Sequence, residues 1–213
     1  MTLHEIRTQI IATAKTTEWQ PEHEYSVFNQ YDHSNYDSRR RDFLWKYRLL
    51  FALAAVLKPE TLTELGTGAG SSFDAFNAGN PLKFYTGYDL FPTVTHEDSK
   101  EKWSFHERAS QVIGKRQVSA RLVKADLRNI TEIKGADLIV VDGAQGYRHC
   151  YRDLRLAFTA TPRAKFIFLD DFEGEQIAAF QDAEEDFAGL IKDVARLDYV
   201  SGGGLLVELN AES

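Results

Sequence analysis

A glycine-rich segment over 61–72, TLTELGTGAGSS, constrains the fold of this chain more than any other part of its sequence. Leu62 and Leu65 precede three closely spaced glycines, and this pattern predicts a buried strand that runs into a tight turn. The residues from Ser71 to Phe76 then have the pattern of a helix start. Glycines are required because the backbone takes positive φ angles and leaves room for a ligand beside it. The segment therefore predicts a site for a nucleoside cofactor.

The spacing of the glycines separates two classes of cofactor site. Enzymes that bind dinucleotides have the pattern G-x-G-x-x-G. Here Gly66, Gly68 and Gly70 form G-x-G-x-G, so the third glycine comes one residue early and position 71 is serine. A dehydrogenase is therefore disfavoured, while a glycine-rich turn without any ligand stays open as the alternative.

Length and composition limit the classes of protein to which this chain can belong. A chain of 213 residues fits one domain with a sizeable core plus an extension. Its single cysteine, Cys150, excludes an intrachain disulfide and a structural zinc site, and fits a reducing cytoplasm. The N-terminus carries Glu5 and lacks an apolar stretch with a cleavage site, so we expect no signal peptide. No apolar run approaches the roughly 18 residues of a membrane span, so we expect a cytoplasmic protein without a membrane partner.

The formal net charge of −7 argues against a nucleic-acid partner, because such proteins neutralise phosphates with basic patches. One local exception is the run Arg39-Arg40-Arg41, which Lys46 and Arg48 follow. This basic cluster indicates either a solvated helix start or a surface for an anionic substrate or a protein partner. We expect a small-molecule substrate and leave a homo-oligomer open.

The rest of the chain alternates between helical and strand patterns. We predict helices over residues 4–16, 39–57, 96–113, 147–160 and 175–190. We predict strands over residues 82–89, 118–125, 136–142, 165–171, 194–200 and 204–209, besides the strand of the glycine segment. Such alternation implies a parallel sheet with helices on both faces, and the last two strands suit an antiparallel hairpin. We assign 1–58 to a helical extension, in which the aromatic segment 17–38 forms part of a substrate lid, and 59–213 to the cofactor-binding domain.

Carboxylates mark the ends of nearly all the predicted strands. In an open α/β sheet, ligands bind at the carboxyl ends of the strands. Six acids along one edge would repel each other strongly unless cations or hydrogen-bond donors lie among them. These residues are Glu64, Asp89, Asp126, Asp142, Asp170 and Asp171. The pattern therefore predicts a ligand at this edge.

The sequence from Glu64 to Gly70 resembles the first motif of class I S-adenosylmethionine-dependent methyltransferases, an acidic residue followed by G-x-G-x-G. The resemblance implies a Rossmann-like α/β fold with a seven-stranded, mostly parallel sheet and an antiparallel last hairpin. It implies that Glu64 contacts the amino end of the cofactor, Asp89 the ribose hydroxyls and Asp126 the adenine amino group. The cofactor-binding residues that it implies are Glu64, Gly66, Thr67, Gly68, Gly70, Ser71, Ser72, Asp89, Leu90, Asp126 and Asp142. The alternatives are Asp89 as a turn residue and Asp126 as a helix cap.

The acids of the last two parallel strands, Asp142, Asp170 and Asp171, form a set of hard oxygen donors. Such donors suit Mg²⁺, Mn²⁺ or Ca²⁺. The set resembles the metal site of catechol O-methyltransferase and of the metal-dependent O-methyltransferases that tailor macrolides and aminocoumarins. The sequence VDGAQGYRHCYRDL over 141–154 is similar to the pattern D-G-x-H-x-Y of the second group, with R-D-L in the helix that follows. The alternative is that Asp170 and Asp171 only cap the next helix.

One position departs from that group. Where its members have a histidine as general base, or the catechol enzymes a lysine, this chain has Gln145. A glutamine cannot accept a proton near neutral pH, although it can orient a water molecule or a substrate. A bound metal could still lower the pKa of an acceptor hydroxyl. Alternatively, His149 or His33 could reach the site, so the catalytic candidates are Asp142, Gln145 and His149.

The resemblance implies transfer of a methyl group from S-adenosylmethionine to an oxygen of a small-molecule acceptor, with Mg²⁺ or another divalent ion. Two alternatives stay open. One is a metal-independent methyltransferase that acts on nitrogen, in which Gln145 orients the acceptor. The other is a non-catalytic protein that retains the fold or the cofactor pocket and serves as a binding or regulatory subunit.

Overall fold

The computed structural model describes residues 1–20, 36–95, 102–143, 146–198 and 203–211, and within them all side chains but those of 36–43, 94–95 and 102–103. The α-helices in these ranges are α1 (Leu3–Thr16), α2 (Tyr36–Leu57), α3 (Ser71–Gly79), α4 (Phe105–Gly114), α5 (Tyr147–Phe158) and α6 (Glu175–Asp186). The strands are β1 (Thr61–Leu65), β2 (Phe84–Asp89), β3 (Thr93–Thr95), β4 (Lys102–Ser104), β5 (Ser119–Lys124), β6 (Leu138–Val141), β7 (Phe166–Leu169), β8 (Ile191–Leu197) and β9 (Gly204–Leu209). Across these ranges, no helix is both long and apolar enough to cross a membrane.

Seven of these strands form one sheet in the order β5-β2-β1-β6-β7-β9-β8. The first five run parallel, and β9 lies antiparallel to both β7 and β8. The predicted fold, a mostly parallel seven-stranded sheet with an antiparallel last hairpin, is therefore confirmed. Leu65 at the end of β1 is in register with Tyr88 of β2 and Val141 of β6. These three strands consequently end at the same level, where their acidic residues meet.

The sheet is covered on both faces because its strands alternate their side chains between two apolar clusters. In β6, Leu138 and Val140 join the cluster that includes α1, α2 and α3. Ile139 and Val141 join the cluster on the other face, which includes α5 and α6. Buried parallel strands of this kind are apolar along their whole length, which explains the almost continuous apolar sequence of β6.

Helices α1 and α2 pack on the first of these faces. Four apolar residues of α1 at helical spacing are buried: Leu3, Ile6, Ile10 and Ala14. Thr2 and Glu5 close the start of this helix with a reciprocal capping box. Both helices share one apolar cluster with the sheet. The predicted helices are therefore confirmed, whereas most of the aromatic segment 17–38 lies outside the described residues and its lid role stays a prediction, as does the division at residue 58.

Two predicted helices are too long, and one predicted strand starts too late. The helix predicted over 175–190 ends at Asp186 in α6, and the strand predicted over 194–200 begins at Ile191 in β8. The pattern predicted a helix over 96–113, but α4 begins only at Phe105. Residues 102–104 instead form β4, which pairs antiparallel with β3. The hydroxyl of Ser104 accepts a hydrogen bond of 3.3 Å from the backbone N–H of Glu107 and so caps the start of α4. Pairing with β3 is a contact between two short segments, which helical periodicity alone does not reveal.

Candidate functional site

The glycine segment turns sharply at the end of β1. Gly66, Gly68 and Gly70 have φ angles of 96°, 54° and 83°, in the left-handed region that favours glycine. A Cβ atom on Gly66 would overlap the backbone carbonyl of Asp142. Among the described residues other than its chain neighbours, none has a heavy atom within 4 Å of a Cβ atom on Gly68. The first glycine therefore allows close packing of β1 against the end of β6. The second borders open space, as a turn beside a ligand requires.

Asp89, the last residue of β2, lies directly against this turn. Its Oδ2 accepts a hydrogen bond of 2.8 Å from the backbone N–H of Gly68, and its Oδ1 accepts one of 2.7 Å from Phe91. Each carboxylate oxygen has two acceptor sites, so both can still accept from a hydroxyl group. The structure thus orients Asp89 at the glycine turn, and its contact with a ribose stays a prediction.

Glu64 is fully buried one residue before the end of β1. The hydroxyl of Tyr85 donates a hydrogen bond to Oε2 of its carboxyl group, and the hydroxyl of Ser72 lies nearby. Within the described part of the chain, however, Oε1 of Glu64 has no hydrogen-bond partner. Burial raises the pKa of this carboxyl to about 7, and the two hydroxyls oppose that shift. A buried acceptor without a donor costs stability, and it fits a ligand that brings a donor to this point.

Other predicted cofactor residues lie around the turn in different environments. Thr67 is buried beneath it, and Ser71 and Ser72 are the first residues of α3. Burial raises the pKa of Tyr47 in α2 to about 12, and the nearby Ser71 side chain opposes that shift. Leu90, which follows Asp89, is 55% exposed. Its exposure leaves it accessible to a ligand.

Asp126 lies just beyond β5 and caps a short 3-10 helix over Leu127–Asn129. It accepts a hydrogen bond of 3.0 Å from the backbone N–H of Arg128 and pairs with the guanidinium of that residue at 2.6 Å. Hydrogen bonds from Arg128 lower the pKa of Asp126 to about 2. The capping role considered in the sequence is therefore present, and a contact with adenine stays a prediction.

The carboxylates of Asp142, Asp170 and Asp171 come together at the ends of β6 and β7. One oxygen from each lies within 4.8 Å of the others, and we call these three residues the acidic cluster. Their positions follow from the sheet, because Asp142 N–H donates to the Leu65 carbonyl at 2.9 Å and Asp170 N–H to the Val141 carbonyl at 3.0 Å. Three hard oxygen donors at this spacing fit a divalent ion.

A lysine that the sequence analysis placed only in the basic cluster contacts the acidic cluster. The Lys46 ammonium forms an ion pair with Asp170, and its Nζ lies 3.4 Å from Oδ2 of Asp142. The Lys46 side chain is only 12% exposed. Burial acts to lower its pKa, but Asp142 and Asp170 outweigh burial and hold that pKa well above the ordinary value. Lys46 is therefore a buried cation.

The sequence does contain a signal for this lysine. The residues at helical spacing from Lys46 are apolar. Phe43 comes three positions before it, and Leu49 and Leu50 come three and four positions after it. A charged residue within an apolar helical stripe is buried with a partner or reaches past the apolar surface. Lys46 has two carboxylates as partners.

The acidic cluster surrounds a small cavity between β6 and β7. Besides the three acids, Gly143, the buried Cys150 and Gln176 line it. Burial raises the pKa of Asp142 well above the ordinary value of a carboxyl group, and Lys46 only partly opposes this. The carboxylates that line the cavity and the Lys46 ammonium that contacts them lie in a largely buried environment, in which electrostatic contacts are strong.

Two of the three histidine and glutamine candidates lie outside the described residues. Gln145 falls in the gap at 144–145, and His33 falls in the gap at 21–35. His149 is half-buried in the first turn of α5. The catalytic roles of Gln145, His33 and His149 therefore stay predictions.

Comparison with known proteins supports the fold. No protein-family model and no curated protein sequence matches the chain. Among solved structures, the SAH-bound methyltransferase PaMTH1 of Podospora anserina matches with a TM-score of 0.56 over 99% of this chain and 98% of its own, at 14% identity. An O-methyltransferase of Bacillus cereus in complex with SAH matches with a TM-score of 0.53 over 95% of this chain and 99% of its own, at 12% identity.

A ribosomal protein L11 methylase of Lactobacillus delbrueckii subsp. bulgaricus matches with a TM-score of 0.55 over 78% of this chain and 80% of its own, at 15% identity. The chain has the class I methyltransferase fold. Similarity at this identity establishes the architecture alone, because one fold supports many different activities.

Proposed function

We propose that this protein binds S-adenosylmethionine at the glycine turn and transfers its methyl group to an oxygen of a small molecule. The observation that carries the proposal is the hydrogen bond from Gly68 to Asp89, which orients a carboxylate beside an open, left-handed turn. Oε1 of Glu64, which has no hydrogen-bond partner among the described residues, adds an acceptor for the amino end of the cofactor near the end of the adjacent strand. The fold shared with SAH-bound structures supports the same ligand.

The reaction is an in-line displacement at the methyl carbon. The acceptor oxygen forms a bond to that carbon, the carbon–sulfur bond breaks, and its electron pair stays on sulfur to give S-adenosylhomocysteine. The acceptor hydroxyl loses its proton to solvent water. The protein contributes mainly by holding donor and acceptor in line, since proximity and orientation can supply about 7–11 kcal/mol of the barrier. Glu64 and Asp89 would hold the donor in that position.

The acidic cluster would bring the acceptor to the donor. Its three carboxylates fit a divalent ion, which when bound would lower the pKa of an acceptor hydroxyl. The cluster adjoins the cofactor turn, because the Asp142 backbone packs directly against Gly66. Asp142 therefore lies where the donor and acceptor sites would meet.

A second candidate is a methyltransferase that needs no metal and acts on oxygen or nitrogen. It is favoured by one observation, the ion pairs of Lys46 with Asp142 and Asp170, which already place a positive charge in the acidic cluster. In that case Lys46 supplies charge compensation to the carboxylates in place of a metal ion.

A turnover assay tests the proposal. The protein is incubated with S-adenosylmethionine and a panel of phenols, catechols, sugar hydroxyls and amines, and S-adenosylhomocysteine is measured by mass spectrometry. We expect acceptor-dependent turnover by the wild-type protein and at least a tenfold loss in Asp89→Ala. Binding of S-adenosylmethionine without turnover for any acceptor would instead support a non-catalytic role.

A further inference from the structure

The Lys46 ammonium occupies the inner side of the acidic cluster. It is paired with Asp170, whose side chain is 1% exposed, and its Nζ lies 3.4 Å from Oδ2 of Asp142. The lysine side chain itself is 12% exposed. This pair is therefore built into the interior and differs from a surface ion pair such as Lys83 with Glu60, in which both side chains are more than 60% exposed.

The carboxylates that hold the ammonium belong to the same set that fits a divalent ion. Asp142 and Asp170 are two of the three residues whose oxygens converge within 4.8 Å. An ammonium and a divalent ion both need these carboxylates, and two cations a few ångströms apart repel each other strongly in a buried site. The two cations are thus alternatives at this cluster.

The backbone of Lys46 is fixed, whereas its side chain is long. Its neighbour Tyr47 is buried, and Leu49 and Leu50 are buried in the core, so α2 cannot shift easily. The lysine ammonium is carried on a flexible four-carbon chain, so it can turn away from the carboxylates while the helix stays in place. Exchange of the ammonium for a metal ion therefore needs only a change of side-chain rotamers.

We propose that Lys46 is a built-in counter-ion of the acidic cluster and competes with a divalent ion for Asp142 and Asp170, so that metal binding displaces the lysine. The inference rests on the metal site of the proposed function and is independent of the cofactor and the acceptor. Occupancy of a site by an internal competitor lowers apparent affinity in proportion to the fraction of time the site is free. Removal of Lys46 should thus strengthen metal binding.

The test is a titration of the full-length protein with Mn²⁺ alone, in which free Mn²⁺ is measured by electron paramagnetic resonance. We expect Lys46→Met to bind one Mn²⁺ about tenfold or more tightly than the wild-type protein does. Lys83→Met, which removes the same charge from an exposed pair, should bind like the wild type. A second substitution, Asp170→Asn, should abolish the gain in Lys46→Met. Equal affinity of wild type and Lys46→Met, or no Mn²⁺ binding by the variant, would overturn the proposal.

A measurement on the wild-type protein covers the case in which Lys46→Met fails to fold. Lysine acetylation by a water-soluble reagent is followed at Lys46 by peptide mass spectrometry, with and without saturating Mn²⁺. Displacement predicts that Mn²⁺ increases the acetylation rate of Lys46 several-fold and leaves that of Lys83 unchanged. An unchanged or lower rate at Lys46 would contradict displacement. Neither experiment uses S-adenosylmethionine, so failure of the proposed cofactor site would leave both readouts intact.

Discussion

The backbone N–H of Gly68 donates a hydrogen bond of 2.8 Å to Oδ2 of Asp89 and thereby joins the turn after β1 to the end of β2. The bond explains two features of the sequence at once. A glycine is required because the N–H points at the carboxylate from a left-handed backbone. An acidic residue at the end of β2 is required because it must accept from that N–H and remain open to a ligand. Four predictions follow from the site.

The two glycines at 66 and 68 should fail in different ways when replaced by alanine. Gly66→Ala drives a methyl group into the Asp142 carbonyl at a φ of 96°, so we expect a loss of about 2–5 kcal/mol in unfolding free energy. The methyl group of Gly68→Ala meets no atom of the described residues beyond its chain neighbours, so this variant should cost only about 1–2 kcal/mol for its left-handed backbone.

For S-adenosylmethionine affinity we expect the opposite order, with a larger loss in Gly68→Ala than in Gly66→Ala. Gly68→Ala places its methyl group in the open space assigned to the cofactor and should weaken S-adenosylmethionine binding about tenfold or more. Urea denaturation and calorimetry on the two variants measure both effects. If Gly68→Ala binds S-adenosylmethionine like the wild type, the open space beside Gly68 is not the cofactor site.

Cofactor affinity should depend on the protonation of Glu64. Burial raises the pKa of this carboxyl to about 7, so it is mostly protonated at pH 6 and mostly ionised at pH 8. The cationic end of S-adenosylmethionine favours the ionised form, and affinity therefore rises with pH through this range. Only about a tenth of the carboxyl is ionised at pH 6, which predicts a change of about tenfold in affinity.

Glu64→Gln is the matched control for this pH effect, because it retains an acceptor for Tyr85 and cannot ionise. The ratio of wild-type to Glu64→Gln affinity, measured by calorimetry at pH 6 and pH 8, cancels the titration of the ligand itself. We expect that ratio to be about tenfold larger at pH 8. A ratio that does not change with pH would show that Glu64 is not in contact with the cationic end of the cofactor.

Metal removal should distinguish the two forms of the proposed function. If a divalent ion assists the transfer, EDTA should lower turnover about tenfold or more, and Mg²⁺ should restore it. Asp171→Asn should then require more Mg²⁺ for half-maximal turnover, and asparagine tolerates the φ of 51° at this position. Full turnover in EDTA would contradict metal assistance and leave the metal-independent form with Lys46 as the resident cation.

The sequence predicts the glycine turn because a turn depends on local pattern. It also predicts that the acidic residues lie together, because all of them lie at or near the ends of parallel strands that end on the same side of the sheet. Three glycines within five residues specify a left-handed turn without knowledge of the rest of the chain. Parallel strands end at one edge of a sheet, so Asp142 and Asp170 had to be neighbours once β6 and β7 were recognised. The fold class followed from the same alternation of strands and helices.

Contacts between distant elements could not be predicted in this way. The approach of Lys46 to Asp142 joins residues 96 positions apart, through the packing of α2 against the strand ends. No periodicity specifies which carboxylate a helix will meet. The β3–β4 pair was missed for a similar reason, since three-residue strands are too short to show an alternating pattern.

We claim above all that the glycine turn and Asp89 form an S-adenosylmethionine site, and isothermal titration calorimetry measures this binding. The wild-type protein should bind one S-adenosylmethionine per chain. Asp89→Ala should lose about 100-fold in affinity, because it loses charge-assisted hydrogen bonds worth about 1.5–3 kcal/mol each. Asp137→Ala removes a carboxylate that also accepts backbone N–H bonds, from Glu60 and Thr61 at the opposite edge of the sheet, and should bind like the wild type. Equal affinity of Asp89→Ala and the wild type, or no binding by the wild type, would contradict the claim.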